Sequence, residues 1–443
     1  MNILLISHGH PAFSKGGAEI CTERLFSAFN CHNDLNILWI SAVTEHHWLG
    51  SGCELMQIGA NQIGVKGAYD FLQTSPMNIN FSSELGQKVI AFKPDIVHCH
   101  HYLFLGVDLF SAIAKWCPSA KFVLTLHDYW AMCPMEGRML KANGQLCMQA
   151  KLQDCWQCMP MYPIGDHFLR ERIIEQAFAG IDVFISPSHF LKTRYEEWGG
   201  CNSAPIYVLS NPNTNIESLP DYMHNGDLDL THGDQFLEDT SSSSLDHGLI
   251  YGYFGQVNQW KGVDIIINAF LAFLNRQQDH NIECILQIHG MDEMNVLLDD
   301  NDSYHAHIAK LAAQKPEQIQ IMGCYEQSDL YSRMQGVHAV VMASRWWENA
   351  PLVIDEAKLL DRWIIAPQIG GMAEKLAGYQ RRYFYTDYGH APTVAQLLTA
   401  FKKISTLIPQ GLTALEVEQT KVNHMDAAEE HLSLYRKIMG NLN

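Results

Sequence analysis

Short, continuously apolar runs punctuate this 443-residue chain, and between them apolar residues recur every three to four positions. Uninterrupted apolar runs of strand length suit a parallel sheet covered on both faces, and the periodic stretches suit the crossover helices. The predicted strands of the first half are Ile3–Ser7, Ile37–Ser41, Ile96–His100, Phe122–His127, Val183–Ser186 and Ile206–Leu209. In the second half they are Leu249–Phe254, Cys284–His289, Ile319–Met322, Ala339–Ala343, Trp363–Ala366 and Tyr383–Tyr385. This alternation predicts an α/β chain of two Rossmann-like, doubly wound domains, residues 1–210 and 249–426. Residues 427–443 hold a final amphipathic helix with Leu432, Leu434, Tyr435, Ile438 and Met439 as its apolar positions.

Composition narrows the function classes. The length exceeds one ordinary core and suits two. The longest apolar runs are too short to cross a bilayer. The opening MNILLISHGH lacks a basic n-region, so it reads as a first strand rather than a signal peptide and predicts a cytoplasmic protein. The formal net charge of -18 is uneven: residues 1–210 carry 14 Lys/Arg against 18 Asp/Glu, residues 211–248 none against 8, and the remainder 16 against 22. Without a basic stripe, nucleic acid is disfavoured and membrane contact is at most peripheral, at the inner face. A small anionic ligand needs a local basic site instead. Residues 211–248, with Ser241–Ser244, read as an acidic flexible linker or insertion. Asp227-Leu-Asp229 inside it mimics a metal-binding Asp-x-Asp, but that signature belongs at the end of a buried strand, and this copy in a polar segment reads as solvated linker.

The densest candidate chemistry lies in Ala339–Glu374. A buried strand leads through a loop to Pro351, which suits a helix start because its missing N–H costs nothing there. Leu352, Val353, Ala357 and Leu360 give that helix an apolar face. Its N-terminus, with Asn349, Ala350, Pro351 and Leu352, would favour an anion such as phosphate, with Glu348 beside it and Glu356 one turn deeper. Upstream, Gly255-Gln256 and Lys261-Gly262 follow another strand, where glycine lets backbone approach a ligand and Lys261 can set a charge against a diphosphate. In the first half, Gly16-Gly17 open a helix after the first strand, with Lys15 beside them. There is neither a G-x-G-x-x-G fingerprint nor a P-loop. His127-Asp128 end a buried strand, and His98, His100 and His101 crowd a parallel strand end, where alternation points to packing rather than metal.

The pair Glu348 and Glu356, eight residues apart, resembles the E-x7-E motif of the retaining glycosyltransferases of family 4, which share the two-domain GT-B architecture. The flanking WWENAPLVIDEA and GGMAE resemble the family too, with further matches from about residue 1 to residue 375. The resemblance implies two domains facing across a cleft, a last helix crossing back to the first, and a nucleotide diphosphate sugar donor, UDP- or GDP-linked. It implies transfer to a glycan or lipid-linked acceptor with retention of configuration, with no cofactor or catalytic metal required. Gly16 and Gly17 match the loop facing the donor phosphates, His127 and Glu348 the residues that hold the transferred sugar, Glu356 the ribose clamp, and Lys261 the diphosphate cation. Gln256 stands where the family pattern has Arg. Arg345 is the candidate for the missing charge.

Twelve cysteines in a chain read as cytosolic argue against a disulfide framework. Cys133, Cys147, Cys155 and Cys158 cluster, the last two spaced C-x2-C, and could hold structural zinc or remain buried thiols. Two other functional readings stay open: a nucleotide-sugar epimerase or phosphorylase of the same architecture, and a degenerate binding protein, for which Gln256 is the best support.

Overall fold

The computed structural model describes residues 1–14, 16–49, 53–76, 79–212, 248–276, 283–291, 302–408 and 427–440. Lys15, Asp227, Asp229 and nearly all of the linker segment lie outside them. The chain divides into two compact units, Met1–Asn213 with Val422–Asn443, and Thr214–Lys421.

The first unit is built on strands β1 (Asn2–Ser7), β2 (Asn36–Val43), β3 (Leu55–Gly59), β4 (Gln62–Lys66), β5 (Ile96–Cys99), β6 (Lys121–Thr125), β7 (Val183–Ser186) and β8 (Ile206–Val208). Their order is β3-β4-β2-β1-β5-β6-β7-β8. Only the β3–β4 pair is antiparallel. That hairpin is absent from the sequence reading; Gly59 and Gly64 interrupt its apolar alternation, and its turn rests on Asn61 at φ 57°. Helices α1 (Gly17–Phe29), α2 (Glu84–Phe92), α3 (Asp108–Trp116), α4 (Leu152–Cys158), α5 (Ile164–Phe178) and α6 (His189–Trp198) complete the crossovers.

The second unit has strands β9 (Leu249–Phe254), β10 (Cys284–His289), β11 (Ile319–Ile321), β12 (Ala339–Val341), β13 (Trp363–Ala366) and β14 (Arg382–Phe384). Their order is β11-β10-β9-β12-β13-β14, all parallel. Its helices are α7 (Val263–Leu274), α8 (Asp302–Ala312), α9 (Leu330–Gln335), α10 (Leu352–Leu359), α11 (Gly370–Lys375) and α12 (Val394–Leu407). The core is aliphatic and aromatic, with Tyr251, Phe270 and Phe401 fully buried.

The last helix, α13 (Ala427–Ile438), belongs to the first unit. Ala428, Leu432 and Tyr435 share a buried core with Leu25 and Phe29 of α1. Among the described residues no helix is long and apolar enough to cross a membrane.

In each unit strand order reverses about one strand: β5 flanks β1 opposite β2, and β12 flanks β9 opposite β10. Crossovers leave on opposite faces there, so a crevice opens at the carboxyl ends of the two strands. Gly16, Gly17, Gln256, Lys261, Arg345 and Glu348 follow the strands at these points, whereas His127 follows β6.

Candidate active site

In the second unit, β12 stops pairing at Val341, although Met342 still donates to the Ile365 carbonyl at 2.8 Å and burial continues through Ala343. The chain then turns through Ser344–Ala350 into α10, with Pro351 as the extended residue just before the helix. Glu348 is buried in this turn, and one of its oxygens, Oε1, accepts from Lys261 Nζ at 2.6 Å, Ser344 Oγ at 2.7 Å and Trp346 Nε1 at 2.8 Å. Burial alone would raise its pKa, but the Lys261 charge and these hydrogen bonds outweigh that and hold the carboxyl below its usual range. The Lys261 ammonium also lies 5.4 Å from the centre of the Trp346 ring.

Two glycines make this turn possible. The Gly371 amide donates to the Glu348 carbonyl at 2.7 Å, and a Cβ there would fall 1.5 Å from the Asn349 carbonyl oxygen. Gly262 precedes α7 at φ 69°, where a Cβ would lie 2.1 Å from the Ala343 carbonyl oxygen. Glu356, on α10, is buried too, and its Oε1 accepts from Gln327 Nε2 at 3.2 Å.

Arg345 differs from the reading of an uncommitted cation. Its guanidinium donates to Asp264 Oδ2 and to the Gln259 carbonyl, each at 2.6 Å. Asp264 also accepts from Tyr304 Oη at 2.7 Å. Burial favours its neutral form, yet the bonds from Arg345 and Tyr304 win and keep the carboxyl low. The pair therefore ties the 344–350 turn to the start of α7, and the charge of Arg345 is balanced in place. Gln256 is exposed, its carbonyl accepting from Tyr253 Oη at 2.6 Å.

In the first unit, Gly16 and Gly17 stand at the start of α1. Gly17 has open space where a Cβ would be, whereas a Cβ on Gly16 would come within 2.4 Å of the Glu19 carboxylate. Glu19 is buried, accepts from Ser14 Oγ at 2.7 Å and lies 3.6 Å from His8 Nε2. Nothing in the local sequence pattern marks Glu19 or His8, since their contact and the bond from Ser14 form only when the loop before α1 bends.

His127 follows β6, and its Nε2 lies 3.0 Å from His100 Nδ1. His100 is buried, and its Nε2 has no hydrogen-bond partner among the described residues. A buried unpaired N–H is rarer than an unpaired acceptor, which favours the tautomer with the His100 proton on Nδ1, donated to His127 Nε2. His127 then carries its own proton on Nδ1. Burial first, and His101 next, take the His127 pKa down to about 3, so the ring is neutral near pH 7. Neighbouring contacts hold the frame: His101 Nε2 lies 3.0 Å from Asp128 Oδ2, His98 Nε2 is 2.7 Å from Thr125 Oγ1, and Tyr435 Oη is 2.5 Å from His98 Nδ1.

The four clustered cysteines line one cavity of about 20 Å³ between β6 and α5. Cys133 and Cys147 are buried, and Cys155 and Cys158 half-buried.

Residues 54–212 match the family model described as Glycosyltransferase Family 4, and residues 238–405 match that of Glycosyl transferases group 1. The chain is a family 4-like glycosyltransferase. A Klebsiella pneumoniae protein described as an "Uncharacterized 42.6 kDa protein in cps region" is 20% identical over 404 residues, which is 87% of this glycosyltransferase and 90% of that protein. Sucrose-phosphate synthase from Thermosynechococcus elongatus shares the fold at a TM-score of 0.60 and 13% identity, over 100% of both chains. A Rickettsia africae glycosyltransferase matches at 0.59 and 14%, over 100% of this chain and 99% of that one. Anabaena HepE, solved in complex with UDP, matches at 0.56 and 14%, over 99% and 95%. The glycosyltransferase thus has the GT-B fold, one mainly parallel sheet flanked by helices in each domain.

Proposed function

We propose that this glycosyltransferase retains configuration and moves a hexosyl group from a UDP- or GDP-sugar to a hydroxyl of a glycan or lipid-linked acceptor, in the cytoplasm, during polysaccharide assembly. The observation that carries the reading is the Lys261–Glu348 contact at the mouth of α10, with buried Glu356 one turn further on. A cation paired with one carboxylate beside a helix N-terminus, and a second buried carboxylate on the same helix, support a ligand with the phosphates, sugar and ribose of such a donor.

In this reading Glu356 holds the ribose diol, while Lys261 and the amides after Pro351 take up the charge of the departing diphosphate. Asn349, Ala350 and Leu352 shape the same turn, and Gly16 and Gly17 admit phosphate close to backbone. Glu348 and the neutral His127 hold the sugar hydroxyls. The anomeric carbon–phosphate oxygen bond breaks as the acceptor oxygen bonds to the same face, and the acceptor proton passes to the leaving phosphate. Positive charge from Lys261 and the helix end serves without a catalytic metal. The HepE complex with UDP and the Klebsiella protein of a cps region support the donor class and the pathway.

A second reading, binding without turnover, is favoured by the uncharged Gln256 in the diphosphate loop. Incubation with a panel of nucleotide sugars, read by donor hydrolysis, separates the two. Release of free sugar with the donor's own anomeric configuration is expected. Tight UDP binding with no hydrolysis of any donor would leave the binding reading, and an inverted anomer would overturn retention.

A further inference from the structure

The segment between β6 and α5 departs from the regular strand-and-helix alternation of its unit. It holds one short helix, α4, and an isolated bridge between Leu140 and Leu146. Its turns place Glu136, Gly137, Met139 and Gly144 at positive φ, from 48° to 82°. With so little regular structure, the stretch takes its shape from buried side chains such as Tyr129, Trp130, Met139 and Leu140, and metals commonly reinforce small lobes of this kind. Its interior is ringed by sulfur: Cys133, Cys147, Cys155 and Cys158 all line the same cavity, together with apolar Met139 and Leu140.

We propose that Cys133, Cys147, Cys155 and Cys158 hold a structural zinc ion. The backbone already performs the assembly that a sulfur cage requires. α4 presents Cys155 and Cys158 from adjacent positions on one face, three residues apart. The Cys147 amide donates to the Met139 carbonyl at 2.7 Å, and that of Cys133 to the Tyr129 carbonyl at 2.8 Å, which fixes both backbones within the loop that lines the cavity. A cavity of about 20 Å³ accommodates a single ion, and four sulfurs favour zinc among ordinary cellular divalent cations. The two charged side chains of the cavity wall satisfy one another, Lys141 Nζ bonding Asp154 Oδ2 at 3.0 Å.

In the side-chain positions seen here the cage is open. No three His, Cys, Asp or Glu side chains among the described residues are set to hold a metal. The Cys133 thiol faces the Met135 carbonyl at 3.8 Å and the Cys147 thiol the Gln149 carbonyl at 3.4 Å. Closing on an ion at the usual Zn–S distance of about 2.3 Å asks these thiols to turn from those carbonyls toward the cavity they line. The lobe so stapled bears on the strand end at His127, because buried Arg170 of α5 donates to the Trp130 and Ala131 carbonyls.

The test is metal analysis of the full chain, expressed without an affinity tag and purified without chelator. About one zinc per chain is expected, removed together with four thiols when a mercurial is titrated in. Exchange for cobalt should produce thiolate-to-cobalt charge-transfer and tetrahedral absorption bands. The double variant Cys155→Ser/Cys158→Ser should lose the zinc; if it does not fold, the mercurial and cobalt measurements on the wild type still decide. Folded, metal-free wild type, zinc that leaves before any thiol is modified, or an intact mass showing these cysteines joined as disulfides would each overturn the proposal.

Discussion

Lys261 and Glu348 neutralise each other across 2.6 Å, although 87 residues separate them in the chain. The pair couples the loop after β9 to the turn before α10. A donor phosphate arriving at Lys261 must share the ammonium with Glu348, whose own charge repels it. Glu348→Gln should therefore bind UDP as tightly as the wild type or more tightly, while sugar transfer falls by at least 100-fold, a loss on the order of 3 kcal/mol of transition-state stabilisation. Calorimetry and steady-state rates on the same preparation check this. Weakened UDP binding with unchanged turnover would contradict it.

Lys261→Ala and Glu356→Ala act on binding itself. Each removes a charged hydrogen-bonding group from the proposed donor site, and each should weaken UDP or GDP by about 1.5–3 kcal/mol. Titration calorimetry with both nucleotides reads the effect. Two variants with wild-type affinity would move the donor site elsewhere.

Arg345 is expected to serve as an anchor. If its contribution runs through the Asp264 pair, Arg345→Ala and Asp264→Asn should lower transfer by similar factors, and the double variant should be little worse than either. Gln256→Arg adds charge beside the diphosphate loop without restoring that tie, so it should be tolerated and should leave Arg345→Ala unrescued. Rescue in a double-mutant cycle would instead mean that total charge is what matters.

Acid should unfold the first unit early. Burial lowers the pKa of His127 to about 3 and that of His8 to about 4, and takes His98 and His100 well down, against modest support from Glu19 and Asp128 near His8. Unfolded, each returns to about 6.5, so the unfolded chain binds more protons and stability falls as pH drops below that value. Each histidine adds a slope of about 1.4 kcal/mol per pH unit while neutral only in the folded state. Thermal melting should show full stability above pH 7 and a marked loss by pH 5, before most carboxylates titrate. An unchanged melting temperature between pH 7 and pH 5 would show that these rings are protonated in the folded state.

The central strands were legible because burial on both faces leaves an uninterrupted apolar run, as in Ile3–Ser7 and Leu249–Phe254. The Glu348–Glu356 spacing was legible because one helix start fixes both residues. What surrounds them was not. Ser344 and Trp346 meet Glu348 through the fold of a loop, and no periodicity announces it. Asp264 carries no local mark of its role, because the turn that brings Arg345 to it lies far along the chain. Glu19 was equally plain, since its partners Ser14 and His8 depend on the bend of the preceding loop. The gathering of Cys133 and Cys147 with α4 depends on left-handed turns at residues that include the non-glycines Glu136 and Met139, which pattern alone does not forecast.

The bond between Tyr435 and His98 joins residues 337 apart in sequence, with the whole second unit synthesised between them. On the ribosome, domains usually fold as they emerge. Here the first sheet emerges early but must wait for α13 to cover Leu25 and Phe29, so its histidine-lined face stays open while the second domain is made. The second domain can therefore complete its core first. The first unit is thus complete only once the chain's last helix, made after the whole of the second unit, has closed on it.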